Sequence, residues 1–307
     1  MGVLDVSFSL AVRFVCKLRG GSQPVLVETS DGVLAVLKFR NNPQGPNVLF
    51  NECAGQELYR ACGLKIAPWF PVLVTEEFLD RNPGAWMSTS EGLKRPESGL
   101  CYGSRFLGFP DARLLEVLPG SCLSRISNRA DFWLAWLVDV CAMHTDARQA
   151  LYIQDENGQL LTHFVDMGNM FGGPCGLDQP HLLASRYLDS RVYPEVTSGV
   201  ARNILHRVRN VDTDRIWDKI EEFPAAWRLP AALDSLEQCL HRLENRQLLQ
   251  QFLEMMIASH LQRGESGQNT ARDIGALRRS LLHSRISPRR IGHETVLAAA
   301  APGLACH

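Results

Sequence analysis

A lysine and a glutamate early in the chain have the types and the spacing of a nucleotide-binding pair. Lys38 follows the apolar run 33–37, and Glu52 lies 14 residues further on, in a segment whose apolar positions have helical spacing. A strand, a loop and a helix of these lengths can bring the two side chains together. Phosphoryl transfer uses such a pair, in which the cation contacts the nucleotide phosphates and the carboxylate orients the cation. The pair alone is weak evidence, because a lysine at the end of a strand is most often a solvated charge.

A second group of polar residues follows a later apolar segment. The sequence HTDARQALYI contains Asp146 and Gln149, and HFVDMGNMFGG places Asp166 between an apolar run and Gly168. Asp-x-Gly alone is a common turn. Here an aspartate, a nearby amide, a predicted β-hairpin and then Asp-x-Gly follow one another in the order of a kinase catalytic loop and its metal-binding loop. Because carboxylate and amide oxygens are suitable ligands for Mg²⁺, this group predicts metal-assisted phosphoryl transfer.

Three neighbouring residues allow two interpretations each. His144 could take part in the catalytic loop or be an ordinary packed histidine, which we favour. Arg148 could pair with a carboxylate or with a phosphate. Asp139 lies inside the apolar run LVDVC, and it could either be an isolated buried carboxylate or brace the catalytic loop.

The elements that would position these residues begin with strands. Apolar and β-branched runs with turn signals between them predict strands at 8–18, 25–28 and 33–39. Residues 48–62 have helical spacing and predict a helix. Residues 80–104 contain many Gly, Pro and Ser residues and predict an irregular connection.

From residue 131 the pattern becomes mainly helical. We predict a helix at 131–144, with Asn128 or Asp131 as its N-cap, and a short hairpin at 150–165. Two further helices are predicted at 212–223 and 231–262. This order of elements indicates an α+β fold with a small β-rich N-lobe, about residues 1–115, and a larger helical C-lobe, about residues 116–262. Residues 263–307 contain seven arginines and three acids and are predicted to form a basic, mobile C-terminal tail.

The composition excludes several classes of protein. The chain has 307 residues, with 32 Lys and Arg against 33 Asp and Glu, and 45% of its residues are hydrophobic. This composition is typical of a globular protein and not of a disordered chain. A general nucleic-acid binder would carry a basic excess, so we expect no direct nucleic-acid binding. No apolar run reaches the roughly 18 residues of a membrane span, and we expect neither a membrane association nor a signal peptide.

The nine cysteines include no Cys-x-x-Cys pair, and most have apolar neighbours. Dispersed thiols of this kind are typical of proteins in a reducing compartment, and their spacing does not fit a structural zinc site. We therefore expect buried free thiols and a cytoplasmic location.

Several short blocks, taken together, resemble the HipA-like kinases, and in particular a bacterial branch with a compact, stand-alone kinase domain. The blocks are Gly20-Gly21-Ser22-Gln23, VLKFRNNPQGPNVLFNE, HTDARQALY and VDMGNMF. The similarity covers about residues 10–260, and the joint presence of the blocks in this order is more specific than any one of them. The resemblance implies a bilobed protein-kinase-like fold and a phosphotransferase that uses ATP and Mg²⁺ to phosphorylate a Ser/Thr hydroxyl, most simply on a protein.

The same resemblance implies a role for each candidate residue. Lys38 would hold the nucleotide phosphates, and Glu52 would orient Lys38. Asp146 would be the catalytic-loop aspartate that accepts or orients the proton of the acceptor hydroxyl. Asp166 would be the main Mg²⁺ ligand, with Gln149 in the place of the second, amide ligand. The loop over the phosphates would be formed by Gly20, Gly21, Ser22 and Gln23.

The sequence departs from common kinase patterns in two respects. It has no GxGxxG motif over the phosphates, and Gln149 lies only three positions after Asp146, where kinases have an asparagine five positions after the aspartate. The geometry of the catalytic loop must therefore differ. Two alternatives remain beside a protein kinase: a small-molecule or lipid-headgroup kinase, and a catalytically inactive nucleotide-binding pseudokinase that regulates a protein partner.

Overall fold

The structure, a computed structural model, describes residues 7–108, 113–176 and 184–264. Over these residues the strands are β1 (Ser9–Lys17), β2 (Val25–Thr29), β3 (Leu34–Lys38), β4 (Trp69–Val74), β5 (Met87–Thr89), β6 (Gly92–Lys94), β7 (Gly99–Arg105), β8 (Arg113–Leu115), β9 (Gln149–Gln154) and β10 (Leu160–Val165). The helices are α1 (Val48–Ala61), α2 (Glu76–Arg81), α3 (Asp131–Cys141), α4 (Ser198–Arg209), α5 (Thr213–Glu221), α6 (Pro230–Glu244) and α7 (Arg246–Gly264). The prediction of a mobile tail falls on residues 265–307, which lie outside the described residues.

Five strands of the first lobe form a closed barrel in the order β1-β2-β3-β7-β4. The strands pair antiparallel except β1 and β4, whose short parallel pairing closes the barrel. Because successive side chains of a strand point to opposite faces, alternate residues fill an apolar core that includes the fully buried Val25, Val27, Ala35 and Leu37. The strand β3 ends at Lys38, so the barrel fixes the position of this lysine.

The prediction of an irregular connection over residues 80–104 is wrong where β5, β6 and β7 form. Residues 99–105 form β7, which lies between β3 and β4 in the barrel. A Cβ atom on Gly103 would lie 2.5 Å from Cγ2 of Val72 on β4, so the close approach of the two strands requires a glycine. Gly103, which resembles a loop residue in the sequence, is there because the strands pack so tightly.

The helix α1 joins the barrel to the second lobe. Nearly all of its residues are buried, and its polar residues Asn51, Glu52 and Gln56 are buried as well. Phe50 contacts Phe171 and Phe223 of the second lobe edge to face. A helix that is enclosed on all sides leaves its polar side chains no solvent, so each needs a partner inside the protein.

The second lobe contains a three-stranded sheet in the order β10-β9-β8. The hairpin β9–β10 confirms the predicted strands at 150–154 and 161–165. The strand β8 pairs antiparallel with β9, and so belongs to this sheet and not to the barrel. The apolar helix α3, which precedes the hairpin, is buried along its whole length. Ala130 occupies its N-cap position without a side-chain hydrogen bond, so neither Asn128 nor Asp131 is the N-cap.

The remaining helices differ from the prediction in two places. The helix α4 was not predicted, although Thr197 caps it by accepting from the N–H of Val200. The single helix predicted for residues 231–262 is in fact α6 and α7, separated at Asn245. The Asn245 side chain accepts a hydrogen bond from the N–H of Leu248 (3.0 Å). This asparagine therefore ends one helix and caps the next.

Five of the eight cysteines within the described residues are buried, and none of these eight is in a disulfide. Cys16 and Cys175 are exposed, contrary to the general expectation of buried thiols. Among the described helices, none combines the length and the apolar character that crossing a bilayer requires.

Candidate active site

A cleft of about 830 Å³ lies between the barrel and the three-stranded sheet. The barrel contributes Lys38 at the end of β3, and the loop between β1 and β2 contributes Gly20 and Ser22. The opposite wall contains Gln149 at the start of β9 and Asp166 directly after β10. A cavity of this size is suited to a ligand such as a nucleotide.

Lys38 lies between two carboxylates at the bottom of the cleft. Its Nζ donates to Oε1 of Glu52 and to Oδ1 of Asp166 at 2.8 Å. Burial alone would lower the pKa of Lys38, but the carboxylates of Asp166 and Glu52 outweigh burial and raise it. The structure thus brings together three of the predicted site residues, with the lysine charged.

Asp166 has a strained backbone conformation and an ionised side chain. Its φ is 63°, a left-handed conformation that is uncommon outside glycine. Burial would raise the pKa of its carboxyl, but Lys38, and to a smaller extent Arg148, hold that pKa well below its usual range. Asp166 is therefore a carboxylate at any physiological pH.

Asp166 and Gln149 are the residues of the cleft that could hold a divalent cation together. The Gln149 Nε2 donates to Oδ2 of Asp166 at 2.8 Å, which brings the amide group next to the carboxylate. Each carboxylate oxygen of Asp166 accepts one described hydrogen bond, and a carboxylate has about four lone-pair sites. Oxygen ligands from one carboxylate and one amide, completed by phosphate oxygens and water, match the preference of Mg²⁺. No cluster of three or more His, Cys, Asp or Glu side chains that could enclose a metal occurs among the described residues.

Glu52 contacts the loop that follows Asp166 as well as Lys38. Its Oε1 accepts from the N–H of Gly168 (2.8 Å) and its Oε2 accepts from the N–H of Met167 (3.2 Å). One buried carboxylate therefore fixes both the lysine and the Asp-x-Gly backbone. The contact of Glu52 with this loop was not predicted, because it joins residues that are 115 and 116 positions apart.

A buried ion pair also contacts the backbone at Asp166. The guanidinium of Arg148 donates to both carboxylate oxygens of Asp139 (2.9 and 2.7 Å) and to the carbonyls of Val165 (2.8 Å) and Asp166 (3.0 Å). The hydroxyl of Tyr59 on α1 donates to the same Asp139 (2.7 Å). Of the two alternatives for Arg148, the structure shows the carboxylate partner. Through this pair Asp139 braces the chain at Arg148 and at Asp166.

We expect Arg148→Met to destabilise the protein by about 3–5 kcal/mol, because it leaves the Asp139 carboxylate buried without its cation. The side chains of Arg148 and Asp139 are only 1% and 0% exposed. Denaturant unfolding measures the change. Arg81→Met is the control, since Arg81 and Glu77 form an ion pair with side chains that are 74% and 69% exposed and such pairs contribute little. Equal losses for the two variants would contradict the bracing role.

His144 is packed beneath the catalytic loop. It is 3% exposed, and its Nδ1 lies 2.5 Å from the carbonyl oxygen of Asp146, to which it donates in the Nδ1–H tautomer. Burial, followed by the nearby Arg148 cation, lowers the pKa of the imidazole. These contacts match the favoured interpretation of an ordinary packed histidine in its neutral form.

Asp146 stands apart from the lysine cluster. The residue is exposed, and its Oδ1 accepts from the N–H of Ala147 at 2.7 Å. The structure brings Lys38, Glu52, Gln149 and Asp166 into one connected group. Over the described residues, no hydrogen bond links the Asp146 carboxylate to that group.

The loop between β1 and β2 is held in place by hydrogen bonds to neighbouring segments. Gln23 donates from Nε2 to the Ser88 carbonyl (2.6 Å) and accepts at Oε1 from the Ser88 N–H (2.7 Å). Asn42 donates to the carbonyl of Ser22 (2.8 Å). A Cβ on Gly21 would lie 2.5 Å from the Gln44 amide nitrogen, so a larger residue here would displace the end of that flexible side chain. Gln23 anchors the loop on β5, and the parts that line the cleft are contributed by its neighbours.

Comparison with known proteins identifies the fold. No protein-family model and no curated protein matches the sequence. Among solved structures, the chain is similar to the proinflammatory kinase CtkA of Helicobacter pylori, with a TM-score of 0.50 and 10% identity over 81% of this chain and 98% of that one. It is also similar to the Golgi casein kinase, with TM-scores of 0.42 for a structure with Mn and ADP bound and 0.45 for another, each at 12% identity over 81% of this chain and 73% of that one. The first similarity confirms the predicted α+β, protein-kinase-like fold.

Proposed function

We propose that this protein is an ATP- and Mg²⁺-dependent phosphotransferase that phosphorylates a Ser/Thr hydroxyl, in the manner of the HipA-like kinases. The observation that carries the proposal is the contact of Lys38 with both Glu52 and Asp166 inside the cleft. A charged lysine next to an ionised aspartate combines a phosphate-binding cation with a metal-binding anion, and phosphoryl transfer needs both. The kinase-like fold supports the same assignment.

Each residue has a specific task in this reaction. Lys38 binds the nucleotide phosphates while Glu52 keeps its ammonium group in place. Asp166 and Gln149 would hold Mg²⁺, which supplies charge neutralisation for the transferring phosphoryl group when bound. The backbone at Gly20, Gly21 and Ser22 covers the phosphates, with Gln23 as the anchor of that loop.

Asp146 acts on the acceptor side. Its carboxylate is exposed and away from the lysine cluster, and it would accept or orient the proton of a hydroxyl that approaches from solvent. An exposed base favours a protein acceptor over a small molecule, because a small-molecule kinase would enclose its acceptor. We further propose a cytoplasmic bacterial protein, without a direct role for nucleic acid or membrane, and with a regulatory protein as a candidate partner.

We expect Lys38→Met to weaken nucleotide binding by about 10–100-fold, because it removes a charge-assisted contact with the phosphates. It also leaves Glu52 and Asp166 as neighbouring carboxylates without the cation between them. Glu52→Gln should give a smaller loss in the same step, since Gln retains a carbonyl oxygen for the loop N–H groups. Isothermal titration with ATP and Mg²⁺ measures both.

Glu57→Gln is the matched control for these two variants. Glu57 is also buried on α1, but its carboxylate accepts from Trp69 Nε1 at 2.7 Å, and its loss should leave nucleotide affinity unchanged. A larger loss in Glu52→Gln than in Lys38→Met would mean that the roles of the pair are assigned wrongly. Wild-type affinity in Lys38→Met would contradict the proposed nucleotide site.

A further inference from the structure

Asn51, next to Glu52 on α1, contacts the segment that follows Asp166. Its side chain is 0% exposed. The nitrogen Nδ2 lies within hydrogen-bond distance of the carbonyl oxygens of Gly168 (3.0 Å), Met170 (2.8 Å) and Gly173 (3.1 Å), and its two N–H groups are shared among these three acceptors. One amide group therefore joins three turns of a segment that has no regular secondary structure.

The other end of the same amide is not satisfied. The Oδ1 atom of Asn51 is buried and has no hydrogen-bond partner among the described residues. A buried oxygen without a partner is unfavourable, and such groups in a native structure call for an explanation. The hydrogen bonds of Nδ2 explain why an asparagine is tolerated here, because no apolar side chain of this size could make them.

The segment bound by Asn51 is strained on both sides of the contact. Asp166 has a φ of 63° and Phe171 a φ of 56°, conformations that are costly for residues with a side chain. Strained backbone persists only where its surroundings fix it. The carbonyls of Gly168 and Met170, which Asn51 binds, lie between these two residues in the sequence.

Residues one turn before and one turn after Asn51 contact the same segment. The N–H of Asn47 donates to the carbonyl of Pro174 at 2.9 Å. A Cβ on Gly55 would lie 2.6 Å from Sδ of Met170 and 2.7 Å from Cβ of Met167, so only a glycine allows this approach. Positions 47, 51 and 55 are spaced by four and share one face of the helical segment. This face fits directly against the segment that carries the metal-binding aspartate.

The geometry points to Asn51 as a positioning residue for the metal site. It holds the strained segment in the conformation in which Asp166 can bind Mg²⁺, and it ties that segment to the helix that carries Glu52. The Lys38–Glu52 pair and the Asp166 carboxylate are then positioned together. The inference rests on the proposed function in one respect, the assignment of Asp166 to Mg²⁺.

The test compares the Mg²⁺ dependence of nucleotide binding in Asn51→Leu and in the wild type. Leucine has the same number and branching of side-chain heavy atoms as asparagine but makes none of these hydrogen bonds. We expect the Mg²⁺ concentration for half-maximal ATP affinity to rise by about 10–100-fold, the range found when a residue that orients a metal ligand is lost. Excess Mg²⁺ should restore part of the affinity. Binding without Mg²⁺ should change little, since Lys38 and Glu52 remain.

Asn128→Leu is the control for lost stability alone. Asn128 Nδ2 donates to the carbonyl of Thr162 (3.0 Å) and Asn128 Oδ1 accepts from the N–H of the same residue (2.9 Å), so its loss disturbs β10 away from the metal site. We expect a lower melting temperature and an unchanged Mg²⁺ requirement. Should Asn51→Leu not fold, Asn51→Ser, which retains one hydroxyl donor, takes its place with a smaller expected shift.

A Mg²⁺ requirement within twofold of the wild type in a folded Asn51 variant would overturn the inference. Because binding is measured and not turnover, this result is distinct from a failure of the proposed function. A wild-type protein that binds ATP with Mg²⁺ but transfers no phosphate contradicts the proposed function. The comparison of Mg²⁺ requirements between Asn51→Leu and the wild type would still decide whether Asn51 positions the metal site.

Discussion

Asp166→Asn is expected to abolish phosphoryl transfer in a protein that remains folded. The substitution keeps the shape of the side chain and removes its charge. Metal-assisted charge neutralisation contributes several kcal/mol to such a transition state, so turnover should fall by at least about 10³-fold. Asparagine retains a carbonyl oxygen that can accept from Lys38 or Gln149, so the local contacts are not all lost.

A turnover assay with purified protein and Mg²⁺ as the only metal measures this loss. Asp155→Asn is the matched control, because Asp155 lies in the exposed turn of the β9–β10 hairpin, where its Oδ1 accepts from the N–H of Gln159 at 2.7 Å. We expect wild-type turnover in the control. Full activity in Asp166→Asn under these conditions would disprove the assignment of Asp166 as the metal ligand.

Asp146→Ala is expected to lower turnover by about 10²–10⁴-fold, the usual contribution of a general base, with little effect on nucleotide affinity. Asp146 acts on the acceptor hydroxyl only as the new bond to phosphorus forms. It makes no described contact with Lys38 or Asp166, so the nucleotide complex should form normally. Parallel measurements of turnover and of ATP affinity separate the two effects.

Gln149→Ala should behave differently, since it removes a metal ligand. Its Mg²⁺ requirement should rise, and added Mg²⁺ should restore part of its turnover. His144→Ala provides the comparison for the shortened loop, because a packed histidine affects stability more than chemistry. If added Mg²⁺ rescues Asp146→Ala while His144→Ala is inactive at every concentration, the catalytic residue is His144 and the assignment of this loop is wrong.

The position of Lys38 relative to Glu52 could be predicted because local patterns determine it. An apolar strand, a turn-rich loop and a helical segment follow one another directly, so that Lys38 and Glu52 are only 14 positions apart, and each element has a clear signal in the sequence. The hairpin that carries Gln149 and leads to Asp166 is equally local. Its strands pair in register from Gln149–Val165 to Gln154–Leu160, as alternation and the intervening turn predict.

The parts that could not be predicted depend on contacts between distant segments. The close approach that requires Gly103 in β7 is visible only once Val72 lies beside it. Asn51 meets its partners across 117 to 122 residues, and no spacing rule relates the two segments. A polar pair, Asn51-Glu52, within an otherwise apolar helix start was the available signal. It indicates buried partners without identifying them.

The central claim is transfer of phosphate to a Ser/Thr hydroxyl, and phosphoproteomics tests it most directly. Wild-type protein and Asp166→Asn are expressed to equal levels under a controlled promoter in bacterial cells, and their phosphorylated peptides are compared. We expect a set of Ser/Thr phosphosites that is present with the wild type and absent with Asp166→Asn. Identical phosphosites in both cultures, with purified wild-type protein still binding ATP and Mg²⁺, would contradict the claim and identify the protein as a nucleotide-binding pseudokinase.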